Sequence, residues 1–135
     1  NKGTQYGELK KVASGGELSR IMLGVKLILS KYTKLPTIIF DEIDTGVSGE
    51  VSNKIADVMH EMGNYMQVIT ITHLPQIAAK GESHFKVYKE DIAGVTTTFL
   101  KPLTAEERIV EVAEILGGKI ISNSAMEHAK ELLKV

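Results

Sequence analysis

The chain has 135 residues, 43% of them hydrophobic, so it is about one domain long and can bury a core without metal or disulfide staples. It contains no cysteine, which excludes a disulfide framework and thiolate metal sites, and no apolar run approaches the roughly 20 residues of a membrane helix. Its 16 basic and 17 acidic residues leave a net charge of -1, so nucleic-acid binding cannot be derived from charge. We expect one globular domain over residues 1–135, in the cytoplasm and without a membrane partner.

The first part of the chain alternates helical and strand patterns. Apolar residues at helical spacing predict a helix of about 16 residues from Glu17 to about Tyr32, buried on most faces. A short β-branched apolar run at 37–40 is typical of a central parallel strand. In the turn after it, Ser48 is the predicted N-cap of a second helix, which ends near Gly63.

A second apolar strand is predicted at 66–72, directly before His73 and a short helix that begins near Pro75. Strand, helix and strand with a crossover of this length predict a right-handed parallel βαβ unit. The residues after both strands, His73 included, would then lie at one edge of the sheet. Open α/β sheets bind their ligands at that edge.

The remainder of the chain predicts a hairpin followed by helices. Residues 83–89 and 95–100 alternate as half-exposed strands do. Thr104 begins a capping box for a helix that is closed at 117–118, and Ser124 is predicted to begin a second box before the last helix. The predicted fold class is α/β: a mostly parallel sheet with flanking helices, plus a β-hairpin and C-terminal helices.

Two adjacent carboxylates, Asp41 and Glu42, follow the first predicted strand. A nucleotide triphosphatase needs one acid to hold the Mg²⁺ shell and another to orient or deprotonate the attacking water. Asp41 would serve the metal, directly or through water, and Glu42 the attacking water. The alternative interpretation is that these acids only mark the solvent edge of a buried strand.

A glycine-rich segment, Ser14-Gly15-Gly16, precedes Glu17 at the start of the first predicted helix. Unpaired amides and the helix dipole favour an anion there, and glycine lets a phosphate approach the backbone closely. The alternative is an ordinary loop with a serine cap. What favours the anion site is the order of the motifs: this helix start, then a strand ending in two acids, then a strand ending in histidine.

His73 could donate a hydrogen bond to a terminal phosphate oxygen, although a lone histidine at a strand end is more often only a polar edge residue. The other histidines are expected at the surface: His60, His84 and His128. The phosphate loop G-x-x-x-x-G-K-[ST] is absent, because the only Gly-Lys pair is followed by Ile120.

Three segments resemble motifs of the ABC ATPase superfamily: the signature motif at 13–20, the Walker B strand at 38–42 and the switch histidine at 71–73. With Glu17 in the signature, the resemblance points to the chromosome-maintenance and DNA-repair branch rather than to transporters. More narrowly, nearly the whole chain resembles a bacterial family of that branch that repairs DNA double-strand breaks.

The resemblance implies an ATP-hydrolysing head built from two halves of a longer protein. The N-terminal half carries the Walker A loop and is separated from this half by a long coiled coil. Two heads form a homodimer around two ATP molecules with Mg²⁺, and DNA and the recombination machinery are implied partners, at the bacterial nucleoid. One departure is Ser48, which stands where the superfamily usually has an aspartate that reaches across the dimer.

A first helix of about 16 residues is roughly 24 Å long, so Ser14 and Glu42 of one chain need not reach the same nucleotide. We expect Glu42 and His73 to act on the ATP of their own head, with Asp41 as metal ligand. The expected contacts to the ATP of the partner head are Ser14, Gly15, Gly16 and Glu17, with Ser48 as a further nucleotide-binding residue.

The isolated chain is predicted to lack appreciable ATPase activity, because it has no Walker A loop. Two alternatives remain. In one, the glycine-rich segment and the acids only build a non-catalytic interface. In the other, the chain belongs to an ATPase subunit of a transporter, which an upstream sequence without a coiled coil would favour.

Overall fold

The helices and strands of the computed structural model, which describes residues 15–41, 43 and 46–135, follow the predicted order. They are α1 (Gly15–Ser30), β1 (Thr37–Asp41), α2 (Gly49–Gly63), β2 (Gln67–Ile71), α3 (Pro75–Ala79), β3 (Phe85–Ile92), β4 (Val95–Pro102), α4 (Ala105–Gly117) and α5 (Asn123–Leu133). The α/β class is confirmed, with a parallel strand pair, an antiparallel hairpin and C-terminal helices. The chain divides into two compact units, one up to Thr72 and one from His73 to Val135.

The first unit contains the βαβ arrangement that the sequence predicts. β1 and β2 are parallel and in register, from Thr37 opposite Gln67 to Asp41 opposite Ile71. α2 connects them and packs against one face of the pair, where the Thr70 hydroxyl lies 3.5 Å from a methionine sulfur of α2. The carboxyl ends of both strands therefore lie at the same edge of the sheet.

The core of this unit is apolar and includes four methionine and isoleucine side chains of α2 and the following turn. Lys26 of α1 places its ammonium 5.2 Å from the centre of the buried Phe40 ring, a favourable cation–π geometry. The buried apolar residues of the unit are Leu23, Phe40, Ile43, Ile55, Ala56, Met59, Met62 and Met66.

The prediction that α1 is buried on most faces is wrong for this chain. Among its apolar side chains only Leu23 is buried, whereas Ile28 is 62% exposed. β1 also differs from a central strand, because Ile39 remains 60% exposed while Phe40 is buried. The reason is that the described residues of the first unit cover only one face of the β1–β2 pair. Ile69 and Ile71 of β2 lie on the same uncovered face as Ile39.

The hairpin of the second unit closes with a two-residue turn. Ile92 pairs with Val95, and the residues between them, Ala93 and Gly94, have φ of 50° and 81°. Positive φ at both central positions is typical of the turn that matches strand twist, with glycine unstrained there. Lys86 of β3 binds the carboxylates of two α4 residues, which raise the pKa of its ammonium and fix the hairpin to α4.

Capping boxes are predicted at the N-terminal ends of α4 and α5, and one of the two is present. The first is confirmed: the Glu107 amide donates to the Thr104 hydroxyl at 3.3 Å, and the Thr104 amide donates to the Glu107 carboxylate at 2.9 Å. The second is wrong. Ser122, not Ser124, is the N-cap of α5 and accepts a hydrogen bond from the Ala125 amide at 3.1 Å. The helix therefore begins before the predicted box.

α4 and α5 pack closely because small side chains lie between them. Ala113 and Ala129 are fully buried there, and a Cβ added to Gly117 would lie 3.2 Å from that of Ala125. Partly buried apolar side chains surround this core: Ile109, Leu116, Ile121, Met126, Leu132 and Leu133. Among the described residues, no helix is both long and apolar enough to cross a bilayer.

Candidate functional site

Asp41 is the last residue of β1 and its side chain is exposed. The residues on either side of this strand end are anchored, because Phe40 is 4% and Ile43 7% exposed. Two buried apolar side chains thus anchor the chain close to Asp41. Asp41 lies on the uncovered face of the strand pair, in line with Ile39.

Two predicted site residues, Ser14 and Glu42, lie outside the described residues, so their roles stay predictions. The backbone of Gly15 and Gly16 forms the first turn of α1, and the exposed Glu17 is the acid of that turn. The first amides of a helix lack intrahelical partners and can bind an anion. α1 has 16 residues, which confirms the predicted length of roughly 24 Å.

Ser48 is the N-cap residue of α2, as predicted, with extended φ and ψ of -78° and 161°. Its side chain makes no capping hydrogen bond, so the hydroxyl is not used to stabilise the helix start. Its carbonyl instead accepts hydrogen bonds from the amide and the hydroxyl of Ser52. Gly46, with φ of 70°, makes the preceding turn in a backbone conformation that glycine adopts without strain.

His73 is exposed and follows β2 by two residues in the sequence. It is the first residue of the second unit, whereas Asp41 belongs to the first. The register places Asp41 opposite Ile71, at the carboxyl end of β2. A joint site of Asp41 and His73 therefore stays a prediction.

Within the described ranges, no group of three or more histidine, aspartate or glutamate side chains could hold a metal ion. Mg²⁺ in nucleotide sites commonly uses only one or two carboxylates, with water and phosphate oxygens completing its octahedron. The exposed carboxylate of Asp41 fits that donor set as a single ligand.

One predicted surface residue has a different environment. His84 is half-buried, and neither its Nε2 nor the Nε of Arg108 has a hydrogen-bond partner among the described residues. Burial lowers the pKa of His84, and the charge of Arg108 lowers it further. Sequence spacing gives no signal for this pair, because the two side chains meet only when α4 packs against the segment before β3. His60 and His128 are exposed, as predicted.

No protein-family model matches the chain. It is 47% identical over 134 residues to the DNA repair protein RecN of Bacillus subtilis, a match that covers 99% of this chain and 23% of that protein. The RecN proteins of Deinococcus radiodurans and Vibrio cholerae are 43% and 41% identical over 133 residues, covering 98% of the chain. The chain thus spans about a quarter of the length of these relatives.

A solved structure supports the fold. It comes from a study of ATP-driven dimerisation and DNA-stimulated activation of SMC ATPases, and it matches 84% of this chain and 68% of its own with a TM-score of 0.61 at 24% identity. At that identity the likeness concerns the fold. The predicted resemblance is confirmed by sequence: this segment is 41–47% identical to RecN proteins along 98–99% of its length.

Proposed function

We propose that this segment is the C-terminal lobe of an ATP-hydrolysing head in a protein that repairs DNA double-strand breaks. The observation that carries the proposal is the exposed Asp41 carboxylate at the carboxyl end of a parallel strand pair, in a chain similar to RecN along nearly its whole length. Ligands bind at this edge in open α/β sheets, and an acid at that place suits Mg²⁺ and nucleotide.

Each residue of the site has a separate task. Asp41 holds Mg²⁺, which neutralises phosphate charge when bound. Glu42 orients or deprotonates the attacking water, and His73 donates a hydrogen bond to the terminal phosphate. These three act on the ATP of their own head.

The start of α1 acts on the other nucleotide of a head dimer. Ser14, Gly15 and Gly16 hold the terminal phosphate of the ATP bound by the partner head, through amides that have no partner within the helix. Glu17 lies beside this contact. Ser48, whose hydroxyl is not used in capping, contributes at the dimer interface where the superfamily usually has aspartate.

The uncovered apolar face of the β1–β2 pair favours the proposal that a second half of the head packs against it. Ile39, Ile69 and Ile71 present one apolar sheet face, and they are 60%, 42% and 56% exposed. A sheet face of this kind needs a covering layer in a folded domain. Because the relatives are about four times as long as this chain, the N-terminal half of the same protein, with its Walker A loop, is the proposed cover.

The remaining proposals concern the cellular setting. The full-length protein works in the bacterial cytoplasm at the nucleoid, and it acts on DNA together with the recombination machinery. The support is the similarity to proteins named for DNA repair. The 135-residue chain alone is proposed to lack appreciable ATPase activity, since it has no Walker A loop.

The experiment is a Glu42→Gln substitution in the full-length protein. The amide keeps the size of the side chain but cannot accept a proton, so ATP turnover should fall by about 100-fold or more and ATP-bound dimers should accumulate in size-exclusion chromatography. The matched control is Glu50→Gln, which removes only an exposed pair with Lys54 at 3.0 Å and should leave turnover unchanged. Undiminished turnover in the Glu42 variant would refute the assignment.

A further inference from the structure

A surface groove lies at the end of the first unit that is remote from Asp41. It has a volume of about 410 Å³ and is formed by the connection from α1 to β1, residues 31–36, together with Ser30 and Tyr65. The strand β1 separates this groove from Asp41, and its five residues span about 13 Å at roughly 3.3 Å per residue. The groove is therefore distinct from the proposed nucleotide site.

The backbone of this groove is fixed by hydrogen bonds. The amides of Tyr32 and Thr33 donate to the carbonyl of Leu29 at 2.9 and 2.8 Å, and the Thr33 hydroxyl donates to the same oxygen at 2.7 Å. The carbonyl of Pro36 accepts from the amide of Gln67 at 2.9 Å. Side chains carried by such a frame lose little backbone freedom when a ligand binds.

The side chains of the groove combine aromatic rings with positive charge. Tyr32 is 82% and Tyr65 54% exposed, so both rings offer a face to a ligand. Lys31 is already paired with Glu61 at 2.8 Å, whereas Lys34 makes no ion pair with any described residue. The groove thus presents two accessible rings beside one uncompensated cation among the residues that the structure describes.

We propose that this Tyr32–Lys34 groove binds single-stranded nucleic acid, with a base stacked on Tyr32 and a phosphate held by Lys34. Exposed aromatic rings beside cations are how proteins hold single strands, because every base has a face that stacks and every nucleotide carries one phosphate charge. The choice of nucleic acid over an acidic peptide rests on the proposed function in DNA repair.

The test is fluorescence anisotropy with a labelled oligothymidylate and the full-length protein, without ATP, at several salt concentrations. Tyr32→Ala should weaken binding by about tenfold, as the loss of one stacked base does. Lys34→Gln should lower the slope of log affinity against log salt by about 0.7, the value for one phosphate contact on a single strand. Lys89→Gln, the same change at an exposed lysine of β3, is the control and should alter neither quantity.

Unchanged affinity of both groove variants would overturn the proposal, and so would an equal change of slope in the Lys89 variant. ATP hydrolysis without DNA is measured on the same proteins to separate this proposal from the proposed function. Groove-specific loss of binding in a protein that does not hydrolyse ATP would uphold the groove and refute the ATPase head. Normal ATP hydrolysis together with unchanged DNA binding by both groove variants would refute the groove and uphold the ATPase head.

Discussion

The uncovered face of the β1–β2 pair yields a quantitative prediction about Ile39. Burying a whole isoleucine side chain stabilises a fold by roughly 1.5–3 kcal/mol, so covering the 60% of Ile39 that is exposed contributes about 1–2 kcal/mol. Ile39→Thr keeps the β-branched shape but removes much of that gain. In the full-length protein the substitution should lower the free energy of local opening by about 1 kcal/mol, and in the isolated chain by less than about 0.5 kcal/mol.

Hydrogen-exchange mass spectrometry on peptides from β1 and β2 measures this free energy in both proteins. The control is Ile55→Val in the core of α2, where the side chain is 3% exposed. It should cost about 0.5–1.5 kcal/mol in either context, because the described residues already bury this side chain. Equal losses for Ile39→Thr in the two contexts would refute the idea that another part of the protein covers this face.

Two further predictions concern the second unit. Because burial lowers the pKa of His84 in the folded state, the contribution of His84 to the free energy of unfolding should be constant above the ordinary histidine value of 6.5 and fall as pH drops from there through the folded pKa. His84→Gln should abolish that fall in urea titrations and the exposed His128→Gln should not; an identical pH profile for wild type and His84→Gln would contradict it. For the start of α5, Ser122→Ala should destabilise by about 1 kcal/mol and Ser124→Ala by much less, as measured by thermal unfolding, and the opposite ranking would contradict the cap assignment.

Local features could be predicted from the sequence because the interactions that determine them are local. The Thr104 box needs only Glu107 three residues later, and the hairpin follows from two alternating runs, although its turn at Ala93 and Gly94 is shorter than the predicted connection. The β-branched composition of residues 37–40 likewise predicts the strand that ends at Asp41. At the start of α5, Ser122 and Ser124 are both possible N-caps within one turn, and spacing alone predicts Ser124, which is wrong.

Burial could not be predicted in the same way, since it depends on what covers a surface. The apolar residues of α1 and Ile39 indicate surfaces that pack in a complete domain, yet the described residues leave them exposed. His84 shows the reverse case: a polar residue without a partner in the sequence is half-buried because α4 packs against it and brings Arg108 close. The groove of Tyr32 and Lys34 also depends on Tyr65, which comes from another part of the chain.

The central claim is that the start of α1 and the end of β1 serve two different nucleotides across a dimer. A mixing experiment with full-length proteins tests it directly, using Ser14→Arg and Glu42→Gln, each of which should be nearly inactive alone. A mixed dimer of the two would regain one intact pocket, because the intact Glu42 of one head faces the intact Ser14 of the other.

Steady-state ATPase assays of the variants, alone and mixed in equal amounts after subunit exchange, give the answer. The account predicts recovery to about a quarter of the wild-type rate, since about half of the dimers are mixed and each has one intact site of two. No recovery in the mixture, with exchange verified by differently tagged subunits, would show that both motifs act on the same nucleotide and would contradict the account.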